Sequence, residues 1–230
     1  MKTQAVIPAA GRGIRFKQKK AKPLVFLNGK PLIVHTLGVF EHCSLIDSVI
    51  IAAPKELLAQ FRKITRHYCL QKVVKIVAGG KTRRRSVANG LRVLDQDTQM
   101  VVVHDAARPF LTGAILAKSI AVAHRYPAAV VAVPVKSTVK SVDPKTLTVK
   151  KTLERKTLWE IQTPQVFKKD VILKAHKTVK DKDPSDDALL VERLGYPVKI
   201  IAGDYRNIKI TTPEDLILGK AILRSVRKHQ

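Results

Sequence analysis

The chain has 230 residues, 45% of them hydrophobic, which allows one large α/β domain or two small ones with a real core and excludes a disordered polymer. Its 43 lysines and arginines against 18 acids leave a formal charge of +25, so the surface attracts polyanions such as phosphorylated metabolites, nucleic acid or anionic lipid. Two cysteines, Cys43 and Cys69, with no CxxC pair, exclude a zinc ribbon and a disulfide scaffold, and no apolar run is long enough for a spanning helix.

Short runs rich in Val and Ile alternate with longer amphipathic stretches. The strands expected are Ala5–Pro8, Ser48–Ala53, Val73–Val77, Met100–His104, Ala129–Val133 and Val198–Ala202. Helices are expected near 31–42, 55–67, 84–94, 112–124, 168–178, 186–194 and 213–226. Thr112 and Thr212-Pro213 are start signals, the second with Pro in the first turn and Glu214-Asp215 behind it. Because the first strand follows Met1 almost at once, no secretory leader fits, and a soluble cytoplasmic protein is expected. This rhythm implies right-handed crossovers, a mostly parallel sheet covered on both faces, and ligands beyond the carboxyl ends of the strands.

Residues 135–157 break the rhythm. They alternate polar and β-branched residues around the turn Val142-Asp143-Pro144-Lys145-Thr146. This reads as a β-hairpin, either packed on its own domain or reaching as an arm to a second subunit. No internal repeat or flexible linker divides residues 1–230, so one domain is expected.

The loop after the first strand is Pro8-Ala9-Ala10-Gly11-Arg12-Gly13-Ile14-Arg15-Phe16. A P-loop and a dinucleotide fingerprint would both need glycine where Phe16 stands. Ala9, Ala10, Gly11 and Gly13 still let the backbone approach a ligand and aim N–H groups at phosphate oxygens. Arg15 and Lys22 follow in the same loop. From the residues alone, the segment is either a phosphate cradle or a solvated basic turn.

Further motifs occur in a fixed order. Gly79-Gly80-Lys81-Thr82-Arg83-Arg84-Arg85-Ser86-Val87 follows the third strand, and His104-Asp105-Ala106-Ala107-Arg108-Pro109 the fourth. Leu158-Trp159, Gln162-Thr163-Pro164-Gln165 and Asn207-Ile208-Lys209-Ile210-Thr211-Thr212-Pro213-Glu214-Asp215-Leu216 complete the set. From about residue 4 to residue 218 the chain resembles the 2-C-methyl-D-erythritol 4-phosphate cytidylyltransferase family of the non-mevalonate isoprenoid pathway.

That resemblance implies a Rossmann-like nucleotidyltransferase fold and a homodimer whose hairpin arms cross between subunits. The implied reaction joins CTP to the polyol phosphate with Mg²⁺ and releases pyrophosphate. It carries Arg15 and Lys22 onto the triphosphate, and Ala9, Ala10, Gly11, Gly13, Gly80, Ser86, Asp105 and Ala106 onto the nucleotide, with Asp105 near the metal. It carries Thr138, Arg155, Thr163, Arg108 and Lys209 onto the acceptor, Arg155 and Lys209 as catalytic cations on its phosphate. Asp186 and Asp187 match a segment at the acceptor site, though an acid-rich helix start is also an adequate account of them.

Lys81 departs from relatives that carry an acid there, which leaves only backbone contacts, and the run Arg83-Arg84-Arg85 is unusually basic. The seven histidines, among them His104 and His176, form no metal motif and are expected to be structural or surface groups. Two rivals remain: cytidylyl transfer to ribitol 5-phosphate, and a basic nucleic-acid-binding protein. The second suits the charge but lacks an aromatic–basic platform, so no specific nucleic acid and no membrane is expected as a partner.

Overall fold

The structure is a computed structural model that describes residues 1–11, 21–180 and 184–227. Seven strands form its sheet: β1 (Lys2–Pro8), β4 (Ser48–Ala53), β5 (Val73–Ala78), β6 (Thr98–Val103), β7 (Ala128–Pro134), β10 (Trp159–Lys168) and β11 (Val198–Ala202). Their order is β11-β7-β10-β6-β1-β4-β5. The neighbours of β1 run parallel to it, as do the β4–β5 and β7–β11 pairs; β10 alone is antiparallel, to both β6 and β7.

The strands are apolar on both faces because helices cover both. Ala5 and Ile7 of β1 pack with α1 (Leu32–Glu41), α2 (Leu58–His67) and α4 (Gly113–Ala123) through Ile33, Leu37, Phe40, Phe61, Leu116 and Ile120. Val6, one residue out of phase, faces α3 (Arg83–Leu91), α5 (Lys169–Thr178) and α6 (Ala188–Glu192) through Val87, Ile172 and Leu190. A third cluster docks the C-terminal helix α7 (Pro213–Arg227): Ile222 meets Val25, Leu27, Phe110 and Ile210.

All six strands expected from the sequence form, and two pairings were not expected. β2 (Phe26–Leu27) and β3 (Lys30–Pro31) make a small hairpin on Asn28 and Gly29, with φ of 48° and 81°. Asn-Gly is a favoured two-residue turn because both positions need φ > 0. β10 was hidden because its polar Gln162, Thr163 and Gln165 surround Pro164, which cannot donate to a ladder. The chain meets that requirement with a register shift between Ile161 and Gln165 in the pairing with β7.

The hairpin lies at β8 (Lys140–Val142) and β9 (Val149–Thr152). Asp143 Oδ1 accepts from the amides of Lys145 at 2.9 Å and Thr146 at 3.3 Å, which closes the turn. Every residue of both strands is exposed, and Leu147 at the tip is 80% exposed.

Candidate active site

Loops from the carboxyl ends of β6, β1, β4 and β5 lie side by side, and most of the expected site residues sit on them. The chain order reverses around β1, and at such a reversal an open α/β sheet leaves a crevice for ligand.

One wall is made by close backbone approach. Ala9 is buried, and its amide donates to Ala52 O at 2.8 Å. A Cβ on Gly79 would stand 2.3 Å from Ala10 Cβ, and one on Gly80 would stand 2.3 Å from Arg85 Cβ, so side chains are excluded at both. The Gly80 amide donates to Ser86 Oγ at 3.1 Å, and that hydroxyl donates to Thr82 O at 3.0 Å. Ser86 therefore shapes the turn that presents Gly80. Gly11 is exposed, Lys81 is exposed, and Gly13 and Arg15 lie outside the described residues. Lys22 begins a 3-10 turn, Lys22–Leu24, and is half-buried; Leu24 packs on the same face of the sheet as Ala9 and Ala106.

The other wall is an ion cluster centred on Asp105, whose side chain is 9% exposed. Oδ1 accepts from Arg83 Nε at 3.0 Å, Oδ2 lies 2.7 Å from Lys209 Nζ, and Arg108 Nε stands 3.8 Å from Oδ2. Burial alone would push this carboxyl up. Arg83, Lys209 and Arg108 outweigh burial and hold it far below the usual carboxylate range. Three cations thus share Asp105 and one further carboxylate, Asp187, which accepts from Arg83 Nη1 at 2.6 Å. Among the groups in direct contact the cations outnumber the carboxylates three to two, which favours a polyanion, with Glu160 acting on Arg108 from outside.

Thr163, Arg108 and Ala106, three of the predicted site residues, are part of its frame together with His104. His104 is fully buried, and burial pushes it down to about 4, so it is neutral near pH 7. Its Nε2 lies 3.1 Å from Arg108 O, an acceptor, so Nε2 carries the proton and Nδ1 is a bare acceptor. Thr163 Oγ1, 3.0 Å away, donates to Nδ1 and in turn accepts from the Asp105 amide at 3.1 Å. Thr163, expected to touch an acceptor, thus spends its hydroxyl on holding Asp105. Arg108 is likewise buried, with Nη1 donating to Asn207 O at 2.7 Å and Nη2 to Ile161 O at 3.4 Å. Ala106 is buried, and its carbonyl accepts from Thr36 Oγ1 at 3.0 Å. Lys209 differs: its side chain is 38% exposed, and the segment is pinned by Ile210 N–H to Ala107 O at 2.8 Å.

Thr163→Val keeps the shape but leaves the Asp105 amide and His104 Nδ1 unpaired. Each buried orphan costs about 1–3 kcal/mol, so stability is expected to fall by roughly 2–4 kcal/mol. A urea unfolding curve checks this; an unchanged midpoint would remove Thr163 from the frame.

Two predicted residues stand apart. Thr138 and Arg155 are exposed at the base of the arm, and Arg155 Nη1 donates to Lys136 O at 3.0 Å. Among the described residues, no hydrogen bond or ion pair joins either to Asp105 or Lys209 within one chain.

The sequence reading assigned no role to Arg83. The signal was present: Arg83 opens α3, and a helix N-terminus disfavours a cation unless acids answer it. Asp105 and Asp187 do so, and they raise Arg83 above its ordinary value against the opposing effect of burial. Asp186 and Asp187 divide their duties. Asp186 Oδ1 accepts from Leu189 N at 2.9 Å as a helix-start acid, while Asp187 turns inward and is 1% exposed.

The described residues contain no group of three or more His, Cys, Asp or Glu able to hold a metal by themselves. Asp105 offers one carboxylate here, already shared among three cations. No helix among the described residues is long and apolar enough to cross a membrane.

The chain is 46% identical over 226 residues to the 2-C-methyl-D-erythritol 4-phosphate cytidylyltransferase of Alkaliphilus metalliredigens, covering 96% of this chain and 93% of that protein. It is 41% identical to the enzyme of the same name from Caldanaerobacter subterraneus, covering 97% and 100%. Among solved structures, the 4-diphosphocytidyl-2C-methyl-D-erythritol synthase of Anaerococcus prevotii superposes with a TM-score of 0.85 at 31% identity, covering 97% and 98%. The 2-C-methyl-D-erythritol 4-phosphate cytidylyltransferase of Thermus thermophilus does so at 0.80 and 31%, covering 97% and 100%. With residues 3–225 also matching the family model, the cationic crevice described above is that of an IspD protein: the chain belongs to the 2-C-methyl-D-erythritol 4-phosphate cytidylyltransferase family.

Proposed function

We propose that this protein transfers the cytidylyl group of CTP to 2-C-methyl-D-erythritol 4-phosphate. The products are 4-(cytidine 5'-diphospho)-2-C-methyl-D-erythritol and pyrophosphate, and the reaction serves isoprenoid precursor synthesis in the cytoplasm. The observation that carries the chemistry is the cation cluster around Asp105 facing the glycine turn.

An oxygen of the acceptor phosphate attacks the α-phosphorus of CTP, and the bond from that phosphorus to the bridging oxygen of the β-phosphate breaks. The nucleophile is already anionic, so no side chain must remove a proton. The obstacle is repulsion between two anions and charge growing on the α-phosphate, which fixed cations relieve. In this reading Lys22 and Arg15 neutralise the triphosphate, Arg offering a planar fork and Lys a mobile point charge. Ala9, Ala10, Gly11, Gly13 and Gly80 line the nucleotide's path with Ser86 behind them, and Asp105 with Ala106 lies at the sugar. Asp105 is the residue that would hold Mg²⁺, which when bound would supply further charge neutralisation. Lys209 leaves Asp105 to take the acceptor phosphate, a move that its exposure permits.

Arg155 reaches this site from a partner subunit in the same reading, with Thr138 beside it. A lone two-stranded hairpin is marginal in water, and this one leaves Val142, Leu147 and Val149 uncovered. A second copy gives those residues a surface and returns Arg155 to a crevice it does not reach in its own chain.

The decisive experiment is CTP-dependent pyrophosphate release with a panel of polyol phosphates. Turnover is expected with the erythritol substrate above all others; faster product from ribitol 5-phosphate would change the acceptor, and no turnover with any would end the proposal. Arg155→Ala is expected to raise the acceptor's KM far more than it lowers kcat. At an acceptor concentration well below the raised KM of Arg155→Ala, dimers mixed from Lys22→Ala and Arg155→Ala chains are expected to recover activity, since half of their sites are then intact. Mixtures that stay inactive would exclude a shared site.

A further inference from the structure

Asp187 is a carboxylate with almost no exposure, and a buried ion pair is often no more stable than an apolar replacement. Its neighbours indicate another use. His176 on α5 places Nε2 3.0 Å from Asp187 Oδ1. Asp187 Oδ2 takes one edge of Arg83 through Nη1 at 2.6 Å, and the other edge, Nε, takes Asp105 Oδ1 at 3.0 Å. We propose that His176 is a positioning residue for the transfer reaction, acting through Asp187 and Arg83 on the orientation of Asp105. This rests on the function proposed above.

The geometry makes the connection one-directional. Asp187 can only accept, so the His176 Nε2–H donates to it. The Asp187 and Ala188 amides both donate to Gln165 Oε1 at 3.2 Å, which fixes the backbone of this turn. The Asp187 side chain is then set by two partners, His176 on Oδ1 and Arg83 on Oδ2, so losing His176 frees one of its oxygens. Arg84 Nη2 in turn donates to His176 O at 3.2 Å, joining α3 to α5 at the same place. Among the described residues His176 Nδ1 is buried with no partner, so there the ring has one polar contact, the carboxylate. A guanidinium gripped on two edges by two carboxylates cannot rotate in its plane. Held by Asp105 alone, Arg83 would turn further onto it and take the carboxylate face that the ligand needs.

The test separates orientation from folding. His176→Leu is expected to lower kcat about fivefold or more, a coupling of ordinary size between contacting groups, with KM for CTP within about twofold. His176→Gln, which can still donate to Asp187, is expected to restore most of kcat. The double variant His176→Leu/Asp187→Asn is expected to be no slower than Asp187→Asn alone, because the histidine has no second route. Unchanged kcat in His176→Leu at a temperature where it is folded, no rescue by glutamine, or additive losses in the double variant would each overturn the proposal. If the wild-type protein shows no CTP turnover, the functional reading fails by itself. Crystal structures of His176→Leu and wild type then decide the positioning: a displaced Asp105 carboxylate supports it, and an unmoved one overturns it.

Discussion

Lys22→Ala is expected to slow CTP-dependent pyrophosphate release by about 10²–10³-fold, the loss measured when one preorganised transition-state donor is removed. The fold should hardly notice. The turn is secured by its backbone, with Val25 N donating to Lys22 O at 3.1 Å, and by buried Pro23 and Leu24, none of which the substitution touches. Lys22→Arg should recover only part of the loss, since a planar fork replaces a compact ammonium that can follow a phosphate as its geometry changes. KM for CTP should move less than kcat, because the growing negative charge is worth more to this cation than the ground-state triphosphate. Steady-state kinetics beside a thermal melt separate these effects. Full turnover in Lys22→Ala would withdraw the residue from the chemistry.

The sequence made the two walls legible to different degrees. The glycine wall is written in local pattern: small residues after β1 and the Gly79-Gly80 pair after β5 mark places where backbones must approach, and the 2.3 Å collisions built at both glycines supply the reason. The cation wall is not local. Arg83, Asp105, Asp187 and Lys209 are far apart in the chain and meet because α3, which follows β5, packs back across β1 and β6, and because β6 lies next to the antiparallel β10. One arginine among 43 basic residues carries no mark of its partner. Motif context picked out Lys209 and Asp105, while Arg83 could be found only by asking why a cation should open a helix.

Roles were harder to read than places. Thr163 and Arg108 were expected to touch an acceptor, and both lie at the site, yet their polar atoms face inward to Asp105, His104, Asn207 and Ile161. A hydroxyl that could bind substrate and one that tethers a backbone look identical in a sequence; only the partner chosen after folding distinguishes them. The arm gave the opposite case. Its alternation and Asp143 turn were plain, while the exposure of both its strands could be seen only once the chain was folded.

Asp105→Asn is the sharpest test of the cluster, because it changes a charge and almost no volume. With the carboxylate gone, buried Arg108 is left with the weaker pull of Glu160, Arg83 keeps Asp187, and half-exposed Lys209 escapes to solvent. Breaking one partner out of a buried set costs about 3–5 kcal/mol; the remaining acid and the escape of Lys209 place this variant near the lower end, roughly 3 kcal/mol. The site also becomes one unit more positive. Metal-free CTP should therefore bind more tightly to Asp105→Asn than to the wild type, most clearly at low salt, where exposed charge is least screened. Turnover should fall as well, since in the function proposed above Asp105 would both contact the sugar and hold the metal. Tighter binding with slower chemistry is the signature of a group that works at the reaction's centre while opposing the ligand's net charge. Weaker binding of metal-free CTP would mean that Asp105 serves mainly to hold the cations in place, and wild-type turnover in the asparagine variant would remove it from the reaction.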